Sequence, residues 1–297
     1  MDNLRGILLL VLAMACFAME DMFVKTASAH MSIGQILGLL GIGGGIAFAV
    51  LAKSSGHRLF SASSLHKTVI LRNLGELIGT LSFVTAITTS ALSTSTAIFQ
   101  AAPLATTLCA AVFLKEPVGW RRWSAIAVGF IGVLLIVRPG SASFEPASLF
   151  AVGAVVGLAA RDVATRVLPR DISSQVIACY AFAVIGIAGF ALQLFEDTFF
   201  VPMDAADWGN IIGALLFGMA GYLSLTVAMR VGEMGVIMPF RYTRLIFAMI
   251  IGMTFFGERP QLLTYVGAAI IITSGIYTLF RERKQRLARL STPSGTR

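Results

Sequence analysis

Long apolar runs, interrupted at fairly even intervals by short polar stretches, organise this chain from end to end. About 20 largely apolar residues in a helix cross the roughly 30 Å hydrocarbon core of a bilayer. Ten runs meet or approach that length: Leu4 to Val24, Ile33 to Leu51, Val69 to Thr88, Thr94 to Leu114, Trp123 to Val137, Ala147 to Thr165, Val176 to Phe195, Trp208 to Met229, Gly235 to Phe256 and Leu262 to Phe280. The connections are short and carry turn residues, such as Pro117-Val118-Gly119, Arg138-Pro139-Gly140 and Arg259-Pro260, which leaves no room for a soluble domain. The pattern predicts an all-α polytopic membrane protein of ten transmembrane helices. Ala13-Met14-Ala15 resembles a signal-peptide cleavage site. Losing the first run would leave an odd number of spans and spoil the repeat described below, so it is kept as a span.

Composition agrees with the pattern: 57% of the 297 residues are hydrophobic, 13% are charged and the mean hydropathy is +0.83, too apolar for a water-soluble fold. A net charge of +8 could suggest nucleic acid, but its distribution reads instead as membrane orientation. With the N-terminus placed in the cytoplasm, 18 of the 23 Lys and Arg fall on the cytoplasmic side and only Lys25, Arg138 and Arg259 outside; Arg241 and Arg244 lie within the ninth span. By the positive-inside rule both termini are expected in the cytoplasm, in a bacterial inner membrane, with the acidic segment of Glu196, Asp197, Asp204 and Asp207 outside. Cys16, Cys109 and Cys179 all sit in apolar runs without metal-ligand spacing, so neither a disulfide framework nor a zinc site is expected.

The two halves resemble each other. A shift of 142 residues carries Gly79, Leu81, Ser82 and Ala86 onto Gly221, Leu223, Ser224 and Ala228, and Phe113 and Glu116 onto Phe255 and Glu258. At a shift of 143, Pro117, Gly132 and Arg138 match Pro260, Gly275 and Arg281; at 141, Ala18, Asp21 and Lys25 match Ala159, Asp162 and Arg166. We read two five-span repeats, residues 1–140 and 141–297. Five is odd, so the second repeat enters from the opposite face, and such antiparallel halves suit alternating access to a site near the midplane.

Arg72-Asn73-Leu74-Gly75 with Phe83, the turn from Ser90-Ala91 to Ala97, Pro103-Leu104, Phe113-Leu114-Lys115-Glu116-Pro117 and Gly129-x-x-Gly132-Val133 resemble the EamA domain of the drug/metabolite transporter (DMT) superfamily. Phe255-Phe256-Gly257-Glu258-Arg259-Pro260 and Gly275 repeat the resemblance in the second half. It implies ten helices around a central cavity and the movement of small metabolites, often export of amino acids, aromatic ones included. Other members that resemble this pattern carry S-adenosylmethionine, riboflavin, nucleotide sugars or metallophores. The second copy departs from the first at one place: Thr243-Arg244 stands where the first has Ala102-Pro103.

Ionisable groups inside a span are costly and should face the bundle interior. Arg244 lies about 13 Å, and Glu76 about 10 Å, from the cytoplasmic end of their spans. Their depths permit a pair, in which Arg244 holds a substrate carboxylate and Glu76 senses an amine or a proton, or which only fixes packing. Gln100 and Tyr222 bring polar atoms to apolar helices and are the other candidate substrate ligands. Arg241, about 9 Å deep, can snorkel to the surface. Asp21 with Lys25 and Asp162 with Arg166 are spaced i, i+4 on one helix face, as helix-end ion pairs or as two symmetric gates. Glu116 and Glu258 are read as cap and loop anchors. Gly34-x-x-x-Gly38 and Gly41-x-x-x-Gly45 allow close helix contact; no Lys-Ser/Thr follows them, so ATP binding is not indicated. His30, His57 and His66 fall in or near loops. No cofactor, metal or nucleic-acid partner is expected; the partners are the bilayer and a small solute, and a monomer is the simplest assembly. A carrier explains the repeat and the few midplane charges, a channel should show rings of charge or filter carbonyls, and no reactive constellation points to an enzyme.

Overall fold

The computed structural model describes residues 3–60, 66–116, 119–142, 144–168, 172–195 and 200–291; Pro117, Glu196 and Asp197, which entered the repeat and the acidic segment, lie outside them. The described residues form helices α1 (Asn3–Ala27), α2 (Ile33–Ser54), α3 (Lys67–Thr89), α4 (Leu92–Phe99), α5 (Ala102–Phe113), α6 (Trp120–Val137), α7 (Ser148–Arg166), α8 (Ser174–Leu192), α9 (Ala205–Val231), α10 (Met234–Ile237), α11 (Thr243–Phe255) and α12 (Leu262–Ser291). Among the described residues, nine helical segments are long and apolar enough to cross a membrane when Leu92–Phe113 is counted as one. The tenth expected span runs through α10, a 3-10 turn at Met238–Tyr242 and α11.

Two spans expected as continuous helices are therefore broken in the middle. The reason is proline: Pro103 sits in the first turn of α5 and Pro239 in the 3-10 turn, and neither can donate the backbone N–H that a continuous helix needs. Both breaks fall at equivalent places, because Gln100 and Tyr242 are 142 residues apart, the repeat shift itself. Gln100 Nε2 donates to the Tyr242 carbonyl at 3.2 Å. A residue that touches its own repeat mate lies near the pseudo-two-fold axis, so this bond marks the centre of the molecule.

Helix pairing obeys the same symmetry. The first helix of one repeat packs on the third of the other, α1 on α9 and α7 on α3; the second helices, α2 and α8, pair with each other, as do the fifth, α6 and α12. Close approach depends on absent side chains. A Cβ on Gly157 of α7 would stand 2.5 Å from the Gly79 nitrogen of α3, and one on Gly189 of α8 would stand 2.8 Å from the Gly34 carbonyl of α2. The glycine spacing in the second span thus does provide the expected contact.

The turns after α5 and α11 also correspond. Leu114 and Phe256 donate to Ala110 and Gly252, and Glu116 and Glu258 then donate to the same two carbonyls. Between them Lys115 and Gly257 take left-handed φ of 54° and 61°.

Candidate functional site

Arg244 occupies the first turn of α11, beside the central break, and α1 faces it with Asp21. Its Nε donates to Asp21 Oδ2 at 3.2 Å and its Nη2 to both carboxylate oxygens at 2.8 Å. Three rings enclose the guanidinium: Phe17, Phe83 and Phe99 have centroids 5.5, 5.1 and 5.2 Å from Arg244 Cζ, within cation–π range. Among the described residues Arg244 Nη1 makes no hydrogen bond, so one edge of the fork remains available to a ligand. Glu20, next to Asp21, sets its carboxylate against Gly218 of α9 and likewise makes no hydrogen bond or ion pair among the described residues.

A second cluster lies toward the start of α3 and the end of α7. Glu76 binds two arginines, Arg72 Nη2 at 2.6 Å and Arg161 Nη1 at 3.1 Å. Arg161 also donates to Asp162 Oδ1 from Nε at 2.9 Å and Nη2 at 2.7 Å, while Thr106 donates to Asp162 Oδ2 at 3.3 Å. Arg241 stands in the field of Asp162, Arg161 and Arg244, and the Tyr222 oxygen in that of Arg72.

These contacts correct several sequence expectations. Glu76 does not pair with Arg244, because Arg72 one turn away on its own helix and Arg161 on the packed α7 reach it first. Asp21 and Lys25 share a helix but not a bond. Asp21 turns inward to Arg244, whereas Lys25 at the helix end reaches across to Glu258 Oε1 at 3.3 Å and donates to the Ser90 carbonyl at 2.5 Å. Asp162 and Arg166 separate in the same way, Arg166 Nη1 reaching Glu116 Oε1 at 3.0 Å and Oε2 at 3.1 Å. Gln100 is buried on the axis, and Tyr222 donates weakly to the Ser174 carbonyl at 3.4 Å with its ring in a T-shaped contact with Phe48.

Of the residues singled out from sequence, the structure unites Arg244, Asp21 and Gln100 at the centre and Glu76, Asp162 and Tyr222 beside it, and sends Lys25 and Arg166 to opposite ends. Sequence reasoning passed over Glu20, Arg161, Phe17 and Phe99, and used Arg72 and Phe83 only for the family resemblance, not as site residues. Two adjacent carboxylates inside one span were a usable signal for Glu20. Nothing in phenylalanine spacing distinguishes rings that face the site from rings that face lipid.

Charges this deep in a bilayer, set between two inverted halves with broken central helices, define a membrane transporter. The model of the EamA-like transporter family matches the chain twice, over residues 4–138 and 146–280, and the chain belongs to that family. Among curated relatives, it is 29% identical over 220 residues to an S-adenosylmethionine uptake transporter of Rickettsia felis, covering 72% of each chain. It is 28% identical over 285 residues to a pseudopaline exporter of Pseudomonas aeruginosa, covering 94% of this chain and 97% of the relative. A riboflavin transporter of Vibrio cholerae is 29% identical over 194 residues, 65% of this chain and 64% of that one. A solved crystal structure shares the fold with a TM-score of 0.65 at 17% identity, over 95% of this chain and 99% of its own.

Proposed function

We propose that the protein is a secondary carrier that exports small zwitterionic metabolites, amino acids with an apolar or aromatic body first among them, by alternating access. The observation that carries this reading is the Arg244–Asp21 pair inside its three phenylalanine rings. An amino acid presents a carboxylate, an ammonium group and a side chain. The free edge of Arg244 suits the carboxylate, and the start of α11 adds the positive end of a helix. Asp21 and the neighbouring Glu20 suit the ammonium group, and the rings suit an apolar body. The second cluster, with Glu76, Asp162, Arg161 and Arg241, gives the pathway further paired charges that a zwitterion can exchange for its own. Export is favoured by the exporter that matches over nearly the whole chain; S-adenosylmethionine, named for another relative, carries the same amino-acid head.

The test is counterflow in proteoliposomes with amino acids, S-adenosylmethionine and riboflavin as competing solutes. Saturable amino-acid flux is expected, and Arg244→Lys should lower apparent affinity about tenfold, since an ammonium cannot reproduce the guanidinium fork. Robust riboflavin flux without amino-acid flux would overturn the substrate class. Near-normal flux in the double neutral variant Asp21→Asn/Arg244→Gln would remove the pair as a ligand.

A further inference from the structure

Lys25 and Arg166 are equivalent in the repeat, and so are Glu258 and Glu116. The structure joins them crosswise, Lys25 of the first repeat with Glu258 of the second at one end of the bundle, and Arg166 of the second with Glu116 of the first at the other. The two pairs share chemistry and origin, yet their surroundings differ.

At the Lys25 end the pair is partly buried, with side-chain exposures of 15% for Lys25 and 10% for Glu258. Glu258 closes the start of α4: Oε1 accepts from Leu92 N at 2.6 Å, and Oε2 accepts from Ser93 N at 3.0 Å and Ser93 Oγ at 2.6 Å. Lys25 lies 5.2 Å from the centroid of Phe256 and binds the Ser90 carbonyl at the turn into α4. Glu258 thereby ties α1, α4 and the end of α11 together across the two repeats. A hollow of about 220 Å³, lined by Ala91, Ser93, Glu258 and Gln261 among others, adjoins this tie.

At the Arg166 end the pair is intact but undocked, with exposures of 42% and 40%. The counterpart of Ser90 is Gly232, which repeats its backbone bond, Gly232 N to Ala228 O at 2.9 Å matching Ser90 N to Ala86 O at 2.9 Å. No bond from Arg166 to the Gly232 carbonyl is present. One end of the bundle is clasped, and at the other the equivalent pair stands exposed.

We propose that Lys25–Glu258 and Arg166–Glu116 are the two latches of alternating access, each docked only when the other is released. In the conformation described here the Lys25 latch seals the site from its side. In the opposite conformation α4 leaves Glu258, and Arg166–Glu116 moves onto the turn between α9 and α10, with Arg166 taking the Gly232 carbonyl as Lys25 takes that of Ser90. The inference does not depend on which solute is carried.

The experiment needs no substrate. The three cysteines, which are free in the structure, are replaced, and Phe99→Cys is introduced below the latch beside Arg244. An impermeant thiol reagent is then applied to oriented vesicles from either side. The starting protein should label slowly from the Lys25 side. Glu258→Gln should speed that labelling about tenfold, the loss of a partly buried charged hydrogen-bond set, and Glu116→Gln should slow it or leave it unchanged. Gly252→Ala keeps every charge but places a Cβ against Glu258 Oε2, so it should act like Glu258→Gln and guards against a folding defect in that variant. Unchanged labelling in both Glu258→Gln and Gly252→Ala, with unfolding temperatures unaltered, overturns the proposal. So does faster labelling from the Lys25 side in Glu116→Gln. Because no flux is measured, failure here leaves the substrate reading untouched, and failure of that reading leaves this result standing.

Discussion

Glu76 is one carboxylate set against two arginines. It balances Arg72 and Arg161, whose guanidinium groups both sit inside the helix bundle with side-chain exposures of 13% and 21%. Removing the charge by Glu76→Gln leaves Arg161 with Asp162 alone and Arg72 with only the neutral Asn73 Oδ1, and breaking such a largely buried set costs about 3–5 kcal/mol. Glu116 makes a bidentate contact with Arg166, but both side chains are about two-fifths exposed, and solvent screening reduces such a pair to about 1 kcal/mol or less. Thermal unfolding in detergent should therefore show a large drop for Glu76→Gln and a small one for Glu116→Gln; equal drops would contradict this ranking. The sequence disclosed that these residues were costly in a span but not who held whom. Spacing of i, i+4 puts Asp21 and Lys25 on one face, yet a carboxylate one turn inside the helix and an ammonium at its end meet different neighbours. Pairing is decided by helices hundreds of residues distant in some cases, as with Arg244 and Asp21, 223 positions apart.

At the scale of elements, the bilayer made most of the fold legible, because hydrocarbon thickness fixes the length of a span and leaves the backbone no alternative to helix. The breaks at Gln100–Ala101 and Tyr242–Thr243 were less legible. Hydropathy averages across them, and only Pro103 and Pro239 betray that one helix becomes two. Which helices pack together was carried by glycine. Gly157 of α7 meets the backbone of Gly75 and Gly79 on α3, where nothing can rotate away, while a Cβ on Gly209 of α9 would meet nothing within 4 Å. Gly157→Val should destabilise the protein by about 1–3 kcal/mol through forced separation of α3 and α7. Gly209→Ala should be neutral or slightly stabilising by restricting the unfolded chain. Comparing the two unfolding temperatures checks the contact, and a harmless Gly157→Val would show that the helices are farther apart than described.

For the whole molecule, the inverted repeat turns local chemistry at one end into a bias between two global states. Glu258 lies outside the spans, between α11 and α12, and is faced by Lys25 from α1, by Leu92 and Ser93 from α4, and by Phe256 at the end of α11; Arg138, Glu145 and Arg259 line the adjoining hollow. Burial by itself would push its carboxyl up. The bonds from Ser93 and Leu92 and the Lys25 charge outweigh burial and hold it below the ordinary carboxylate value. A latch whose docked form has the lower pKa binds fewer protons than its released form, so protonation favours release. Its contribution is fully present above the ordinary glutamate value of about 4.3 and is lost as pH falls through the lowered, docked value. Labelling of Phe99→Cys from the Lys25 side, divided at each pH by the rate of the same reagent with a free cysteine because the thiolate is the reacting form, should then stay level from about pH 8 to pH 5 and rise only in stronger acid. In Glu258→Gln, which has no proton to gain at that position, the rate should already be high and the acid step should vanish. An acid step that persists in Glu258→Gln would place the titrating group elsewhere, and a rise in that ratio toward alkaline pH would reverse the sign on which the latch rests.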